Sequence, residues 1–485
     1  MPQTCDPYEA AASAGLTMAS GKGDCFAVFP STRLAYCKAL NKRPVIMTNF
    51  AFDIIDALDE RTTNILESCT ACGACVEVCP MPAIVGQADL KPGVVAAGIL
   101  DILRDGKGVL GAEAWARACC GTGHCLSACE YGINPRFMLT IARRALSRRN
   151  DLVDRKNAGK TAFQAMSRGV KVISRLQMSP DVMERLSPSS HPARKTAPDV
   201  VFYTGCNMLK TPHIGLICLD ILDRLKVRYE VYGGPANCCG ILQLRPGDDA
   251  AASRQAGKTM QRFAETGATE VLSWCPTCNI QFGETLMPGT QPAIDIDMFP
   301  NFLASRLNDL RPFMQTSVTK KVALHEYPGS PGVTESVYRL LGAIPGLDVF
   351  ELPIEGVGYQ ITSLAVVPEF QKSHIAQTLR AAHEAGVTTL ASVYHADHRE
   401  LVSHENQWSF EVVNYMELIA DSMGLDRPDL FKRLKLMQDA DAIIADSYEQ
   451  IAAHGLDADE VRDAVVKYLL GDQILPVDPA LHPKP

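Results

Sequence analysis

The sequence predicts a chain of α/β plus α class, a helical domain followed by two tandem α/β domains. Three observations carry that prediction. Between about residues 197 and 424, short apolar runs alternate with longer helix-patterned stretches, the signature of α/β layers. The same region is a tandem duplication, in which Gly267-Ala-Thr-Glu-Val-Leu-Ser-Trp-Cys275 matches Gly386-Val-Thr-Thr-Leu-Ala-Ser-Val-Tyr394 at an offset of 119 residues. Ahead of it, from about 56 to 150, helix-patterned segments frame two compact cysteine runs.

In chain order, residues 1–55 form an N-terminal extension whose Cys5, Cys25 and Cys37 are widely spaced and are assigned no metal. The 56–150 domain has helices expected at 52–66, 94–104 and 135–148, the last opened by Pro135, whose missing N–H would be unpaired there anyway. Residues 151–196 read as a helix followed by a Ser/Pro-rich linker. The first α/β domain, 197–317, has strands expected at 199–205, 229–232 and 271–274, with helices at 214–225 and 251–266. Cys218 falls in the first of those helices and reads as a core residue. The second α/β domain, 318–424, repeats the scheme with strands at 322–325, 348–351 and 390–393 and a helix at 333–344, all at the uninterrupted offset of 119. Residues 425–485 read as a helical, acidic tail ending in a proline-rich surface arm over 476–485.

Thirteen of the 17 cysteines fall into three groups with ligand spacing. Cys69, Cys72, Cys75, Cys79 and Pro80 spell C-x2-C-x2-C-x3-C-P, the bacterial ferredoxin run. In that run three thiolates wrap one cubane iron-sulfur cluster and the fourth reaches a neighbouring cluster. A second run is therefore expected downstream, and Cys119, Cys120, Cys125 and Cys129 supply it in altered form, with Thr122 at the second ligand position. Either Cys120 substitutes, with Gly121 and Gly123 bending the loop, or that cluster holds three irons. On the crossed pattern one cubane takes Cys69, Cys72, Cys75 and Cys129. The other takes Cys79, Cys125 and Cys120 or Cys119. His124 beside Cys125 reads as a hydrogen-bonding or solvent-facing residue rather than an iron ligand.

The third group is Cys206, Cys238, Cys239, Cys275 and Cys278, spaced C-x31-C-C-x35-C-x2-C, with Gly240 after the adjacent pair. Tetrahedral zinc needs four ligands and usually draws them as two short pairs, so five thiolates with a contiguous pair point to several irons. Strand ends in an α/β layer meet at one edge, which brings together cysteines about 70 residues apart. The pattern resembles the cysteine-rich CCG domain of the heterodisulfide reductase B and D subunits. That resemblance implies a non-cubane 4Fe-4S cluster on these five thiolates. The 56–150 region likewise resembles the helical dicluster domain of the C subunit and the N-terminus of the D-type subunit.

The resemblance breaks in the second repeat. There the 119-residue offset puts His325, Val357, Gly358, Tyr394 and Asp397 at the five cysteine positions, and residues 287–485 contain no cysteine. A second non-cubane cluster is therefore not expected, and cleavage of a heterodisulfide between two facing clusters is disfavoured. His325, His395, Asp397 and His398 either form a mononuclear metal site, since His-x2-His with a carboxylate offers suitable donors, or are polar groups left after loss of the cluster.

Composition narrows the function classes. A net charge of -8 lacks the basic footprint of a nucleic-acid binder. The basic run 143–149 reads as a solvated helix C-terminus or, secondarily, a docking patch for an acidic partner. The most apolar stretch, 94–103, falls far short of the roughly 20 residues of a transmembrane segment. With no export signal at the start of the sequence, the thiolate clusters point to a reducing cytoplasm, with any membrane contact peripheral and made through a partner. No G-x-G-x-x-G follows a strand, so no flavin is expected in this chain.

These features predict an iron-sulfur electron-transfer subunit of an oxidoreductase complex. Its implied partners are a flavoprotein dehydrogenase, an electron-transfer flavoprotein or other subunits of a heterodisulfide reductase-like complex. The enzymatic alternative is a thiol–disulfide reductase acting at the non-cubane cluster. A scaffold with purely structural metal fits poorly with thirteen ordered iron-type ligands.

Overall fold

Two four-stranded sheets, each wholly parallel, form the framework. The first contains β1 (Val200–Gly205), β2 (Tyr229–Gly233), β3 (Glu270–Ser273) and β4 (Asp295–Met298) in the order β2-β1-β3-β4. The second contains β5 (Lys321–His325), β6 (Asp348–Phe350), β7 (Thr389–Ser392) and β8 (Glu411–Asn414) in the matching order β6-β5-β7-β8. The computed structural model describes residues 53–471 and 482, apart from 192 and 291–293. The N-terminal extension up to residue 52, with Cys5, Cys25 and Cys37, and the 476–485 arm except His482 lie outside the described residues.

Central strands are rich in apolar residues because both sheet faces are covered, and all six residues of β1 are buried. Edge strands β4 and β8 escape a sequence reading. Asp295-Ile-Asp-Met and Glu411-Val-Val-Asn are four residues long and begin on acidic residues at a sheet margin.

The matching strand orders support the duplication but correct its register. Tyr203 pairs with Ser273 and His325 with Ser392. Ser392 stands 119 residues after Ser273, whereas His325 stands 122 after Tyr203, and the pairing of β5 with β6 slips in the same direction. His325 therefore takes the place of Tyr203, not of Cys206. The stretch from β5 to β6 is slightly shorter than that from β1 to β2, which an ungapped comparison of sequence cannot reveal.

The N-terminal region is helical, built from Ile54–Ser68, Pro92–Leu103, Leu110–Ala118 and Pro135–Arg148, with single turns at Ala74–Glu77, Met81–Ile84 and His124–Ala128 carrying the cysteine runs. The Asn134 side chain accepts from the Phe137 N–H at 2.8 Å and, with Pro135, starts the last long helix. Residues 151–196 hold two helices, Leu152–Arg175 and Pro180–Leu186, ahead of the Ser/Pro-rich stretch that begins at residue 187, where the sequence suggests one. Pro180 is the first residue of the second helix, where its missing N–H has no intrahelical partner to lose. After residue 424 the chain is helical through Leu470 and returns to the Leu152–Arg175 helix, where Lys171 pairs with Glu460 at 3.0 Å.

Arginines dock the helical region onto the first sheet domain. Buried Arg144 bonds Asp249 at 2.9 Å, and Arg61 donates to the carbonyls of Thr285 (2.9 Å) and Glu284 (2.7 Å) while covering the Phe137 ring at 3.6 Å. No helix among the described residues is long and apolar enough to cross a membrane.

Candidate iron-sulfur centres

The five-cysteine group assembles at the C-terminal ends of β1, β2 and β3. Cys206 follows β1 directly, Cys238 and Cys239 follow the turn after β2, and Cys275 caps the helix Pro276–Ile280 that carries Cys278. Two glycines permit this approach. Gly205 has φ +68°, and a Cβ there would lie 3.3 Å from Cys278 Sγ. Gly240 has φ +76°, and a Cβ there would meet the Ala252 carbonyl at 2.7 Å.

All five thiols are buried and none is in a disulfide, with Cys278 Sγ 3.6 Å from Cys239 Sγ. Hydrogen bonds from Cys206 and Cys239 hold the Cys238 thiol well below its usual value, and one from Cys278 lowers Cys275. The same bonds, together with burial, push Cys206, Cys239 and Cys278 well up. Five thiols in so small a space ionise together only around a cation, so this donor set fits a multi-iron cluster.

A cavity of about 320 Å³ opens onto the cysteines, lined also by Lys210, Arg245, Arg399, His395 and Gln360. Burial, aided by the nearby Arg399 and Lys210 charges, pushes His395 down to about 3, so its imidazole is neutral at pH 7. Apart from His395, these lining residues do not stand out in sequence, because they come from separate segments.

In the helical region the thiols form two groups. Burial and then Cys69, Cys129 and Cys72 push the Cys75 thiol up to about 12. Burial and then Cys119 and Cys79 do the same to Cys125. Those neighbours match the crossed arrangement read from spacing. Cys119 adjoins Cys79 and Cys125, while the Cys120 thiol points to Met81 Sδ at 3.3 Å and Thr122 Oγ1 at 3.4 Å. Cys119 and Cys79 also stand near the Cys120 thiol, so both adjacent cysteines lie beside this group. Gly121 and Gly123 bend the loop with φ +76° and +93°.

Trp115 Nε1 donates to Cys79 Sγ at 3.3 Å. A donor on a ligand sulfur stabilises the reduced cluster, so Trp115→Phe is expected to lower the potential of one cubane. A redox titration followed by paramagnetic resonance checks this, and an unchanged midpoint refutes it.

Comparison with known proteins agrees with this geometry. The family model described as "CCG: Cysteine-rich domain" matches residues 200–283, and that described as "Fer4: 4Fe-4S binding domain" matches 64–85. The D subunit of dihydromethanophenazine:CoB–CoM heterodisulfide reductase from Methanosarcina mazei is 23% identical over 407 residues, covering 74% of this chain and 95% of that protein. Its namesake from Methanosarcina acetivorans is 24% identical over 404 residues, covering 74% and 94%. The chain is homologous to heterodisulfide-reductase-like subunits. The B subunit of the CoM/CoB fumarate reductase of Methanothermobacter marburgensis is also similar, 22% identical over 382 residues, covering 74% and 73%. No solved structure matches. The fold is a helical ferredoxin-like region followed by tandem CCG-type α/β domains.

The second repeat sends its four polar candidates to different neighbours. His325 Nε2 pairs with Tyr327 Oη at 2.7 Å, and burial pushes its pKa down to about 3. Asp397 accepts from the backbone N–H groups of Ile361 (2.8 Å) and Tyr394 (3.3 Å), which ties it to a helix start. His395 faces the five-cysteine cavity. His398 alone joins a metal-capable group, with His213, Glu417 and Asp429. Neither His325 nor Tyr394 lines the five-cysteine cavity.

The loop of this repeat that corresponds to the Cys238–Cys239 turn seats the altered cysteine run. Gly358 N–H donates to Thr122 Oγ1 at 3.0 Å, and a Cβ on Gly121 would meet the Tyr359 ring at 2.6 Å. Buried Arg136 fastens the junction. Its Nη1 donates to the carbonyls of Gly121 (2.9 Å) and Gly329 (2.5 Å), and its Nε to Glu284 at 2.9 Å. Sequence reading passes over Arg136 because it is one arginine among several in the 135–148 helix.

Proposed function

We propose that this chain is an iron-sulfur electron-transfer subunit of a redox complex, holding two cubane clusters and one non-cubane 4Fe-4S cluster between a flavoprotein partner and an acceptor. In this reading Cys69, Cys72, Cys75 and Cys129 hold one cubane, Cys79, Cys119, Cys120 and Cys125 hold the other, and the five CCG cysteines hold the non-cubane cluster. When bound, such clusters supply electron carriage at potentials set by hydrogen bonding and burial.

The contact between the altered cysteine run and the second repeat carries the reading. Thr122 accepts from Gly358, and two residues on, Gln360 donates to Thr277 Oγ1 at 2.9 Å, next to Cys278. These residues link the second thiol group to the five-thiol site by hydrogen bonds, and Arg136 ties the junction to the Gly121 and Gly329 carbonyls. Residues 56–150, 197–317 and 318–424 would then act as the dicluster, cluster-bearing and seating domains. The flavoprotein partner is a dehydrogenase, an electron-transfer flavoprotein or another subunit of a heterodisulfide reductase-like complex. A cytoplasmic setting, with membrane contact through that partner, suits so many reduced thiols.

A second reading, thiol–disulfide reduction at the five-cysteine site, draws on the cavity itself. Its volume and its Lys210, Arg245 and Arg399 lining suit a small anionic sulfur compound. Rapid mixing with a reduced flavoprotein separates the two. A relay takes up electrons at a rate indifferent to added disulfide and to His395→Phe. A reductase turns over disulfide repeatedly and loses about 10²-fold or more in rate on that substitution, a result that would displace the relay.

A further inference from the structure

Away from the cysteines, four side chains converge between the two repeats. His213 lies in the first turn of the helix Pro212–Arg224, His398 on the helix His395–Leu401, Glu417 on the helix Tyr415–Met423, and Asp429 just before the helix Leu430–Met437. One ligand atom from each lies within 4.8 Å of all the others.

His213 is the telling member. It is 3% exposed, and neither ring nitrogen has a hydrogen-bond partner. Nδ1 stands 3.3 Å from Asp429 Oδ1 and Nε2 stands 3.6 Å from Glu417 Oε1. A neutral imidazole carries one N–H and one ring lone pair, so between two carboxylates that lone pair faces a carboxylate lone pair in a buried setting unless a second proton is taken up. A cation between these groups removes that conflict. Only one ring nitrogen can take the ion, and the 3.3 Å from Nδ1 to Asp429 Oδ1 is near the about 3.3 Å edge of a tetrahedron built on zinc bonds of about 2.0–2.1 Å.

The carboxylates are held from behind, as metal-bound carboxylates are. Glu417 Oε1 accepts from Asn414 N at 2.6 Å, and Asp429 Oδ1 accepts from Lys432 N at 2.9 Å. His398 Nε2 bonds Asp429 Oδ2 at 2.6 Å, a contact that an inserted ion would lengthen.

We propose that His213, His398, Glu417 and Asp429 bind one Zn²⁺ per chain, a structural site that joins the two α/β repeats. Four protein ligands close the tetrahedron, which suits a structural rather than a catalytic ion. Imidazole with carboxylate is a zinc-type donor set and lacks the thiolates that iron-sulfur assembly uses. The site also braces the five-cysteine cavity, because His213 follows the turn bearing Lys210 and His398 follows His395 by three residues.

The test measures zinc and iron in the full chain purified anaerobically with zinc present. The expected result is one zinc beyond the iron, with a zinc-edge absorption shell of nitrogen and oxygen at about 2.0–2.1 Å and no sulfur at about 2.3 Å. His213→Gln and Glu417→Gln should lose the zinc and keep the iron, and zinc should raise the melting temperature of the wild type but of neither variant. Wild-type chain that binds no zinc, zinc in a sulfur shell, or zinc retained by both variants would overturn the site. If the variants do not fold, the wild-type stoichiometry and coordination shell decide it.

Discussion

Arg136→Ala is expected to lower stability by about 3–5 kcal/mol, the usual cost of breaking a buried ion pair by removing one partner. The guanidinium side chain is 3% exposed and that of Glu284 22%, so the lower end of the range is the better expectation. Truncation strands the Glu284 carboxylate and leaves the Gly121 and Gly329 carbonyls without this donor. Arg136→Lys should recover little, because one ammonium cannot reproduce a planar fork aimed at three partners. Denaturant unfolding followed separately by cluster absorbance and by tryptophan fluorescence measures this, and separated transitions would show the junction opening before the domains melt. A loss under about 1 kcal/mol would mean that the junction rests on the other arginines.

Iron content should respond almost as sharply. Three clusters give about 12 irons per chain, or about 11 if the Thr122 site holds three. Replacing Cys238 and Cys239 together with Ser should bring the count to about eight and abolish the non-cubane resonance, leaving both cubanes. In the altered run, Cys119→Ser should lose a cubane, because its thiol adjoins Cys79 and Cys125. Cys120→Ser should convert that cubane to a three-iron centre. About eight irons in the wild type, with no non-cubane signal, would remove the assignment of the five CCG cysteines. A silent Cys119→Ser would return the ligand role to Cys120 alone.

The cysteine groupings were legible in sequence because ligand spacing is a local property. The run from Cys69 to Cys79 carries its geometry in loop lengths, and the two glycines beside Thr122 announce the bent backbone the structure adopts there. Alternation of apolar runs with helical stretches reported the parallel sheets for the same reason, since a strand buried on both faces is rich in apolar residues. Repetition at an offset of 119 announced two copies, yet it misplaced His325, because the length of a loop carries no information about which residues pair across a sheet.

By itself the sequence determined which cysteines group together, that the second copy lacks such a group, and that both copies share one α/β plan. Tertiary structure alone decided how those parts meet. Thr122 on Gly358, Arg136 on Glu284 and Gly329, and His213 opposite His398, Glu417 and Asp429 are contacts between residues well over a hundred positions apart. Such contacts depend on how complete sheets and helices pack and on which buried charges find partners. That is a property of the assembled interior, which no local spacing records.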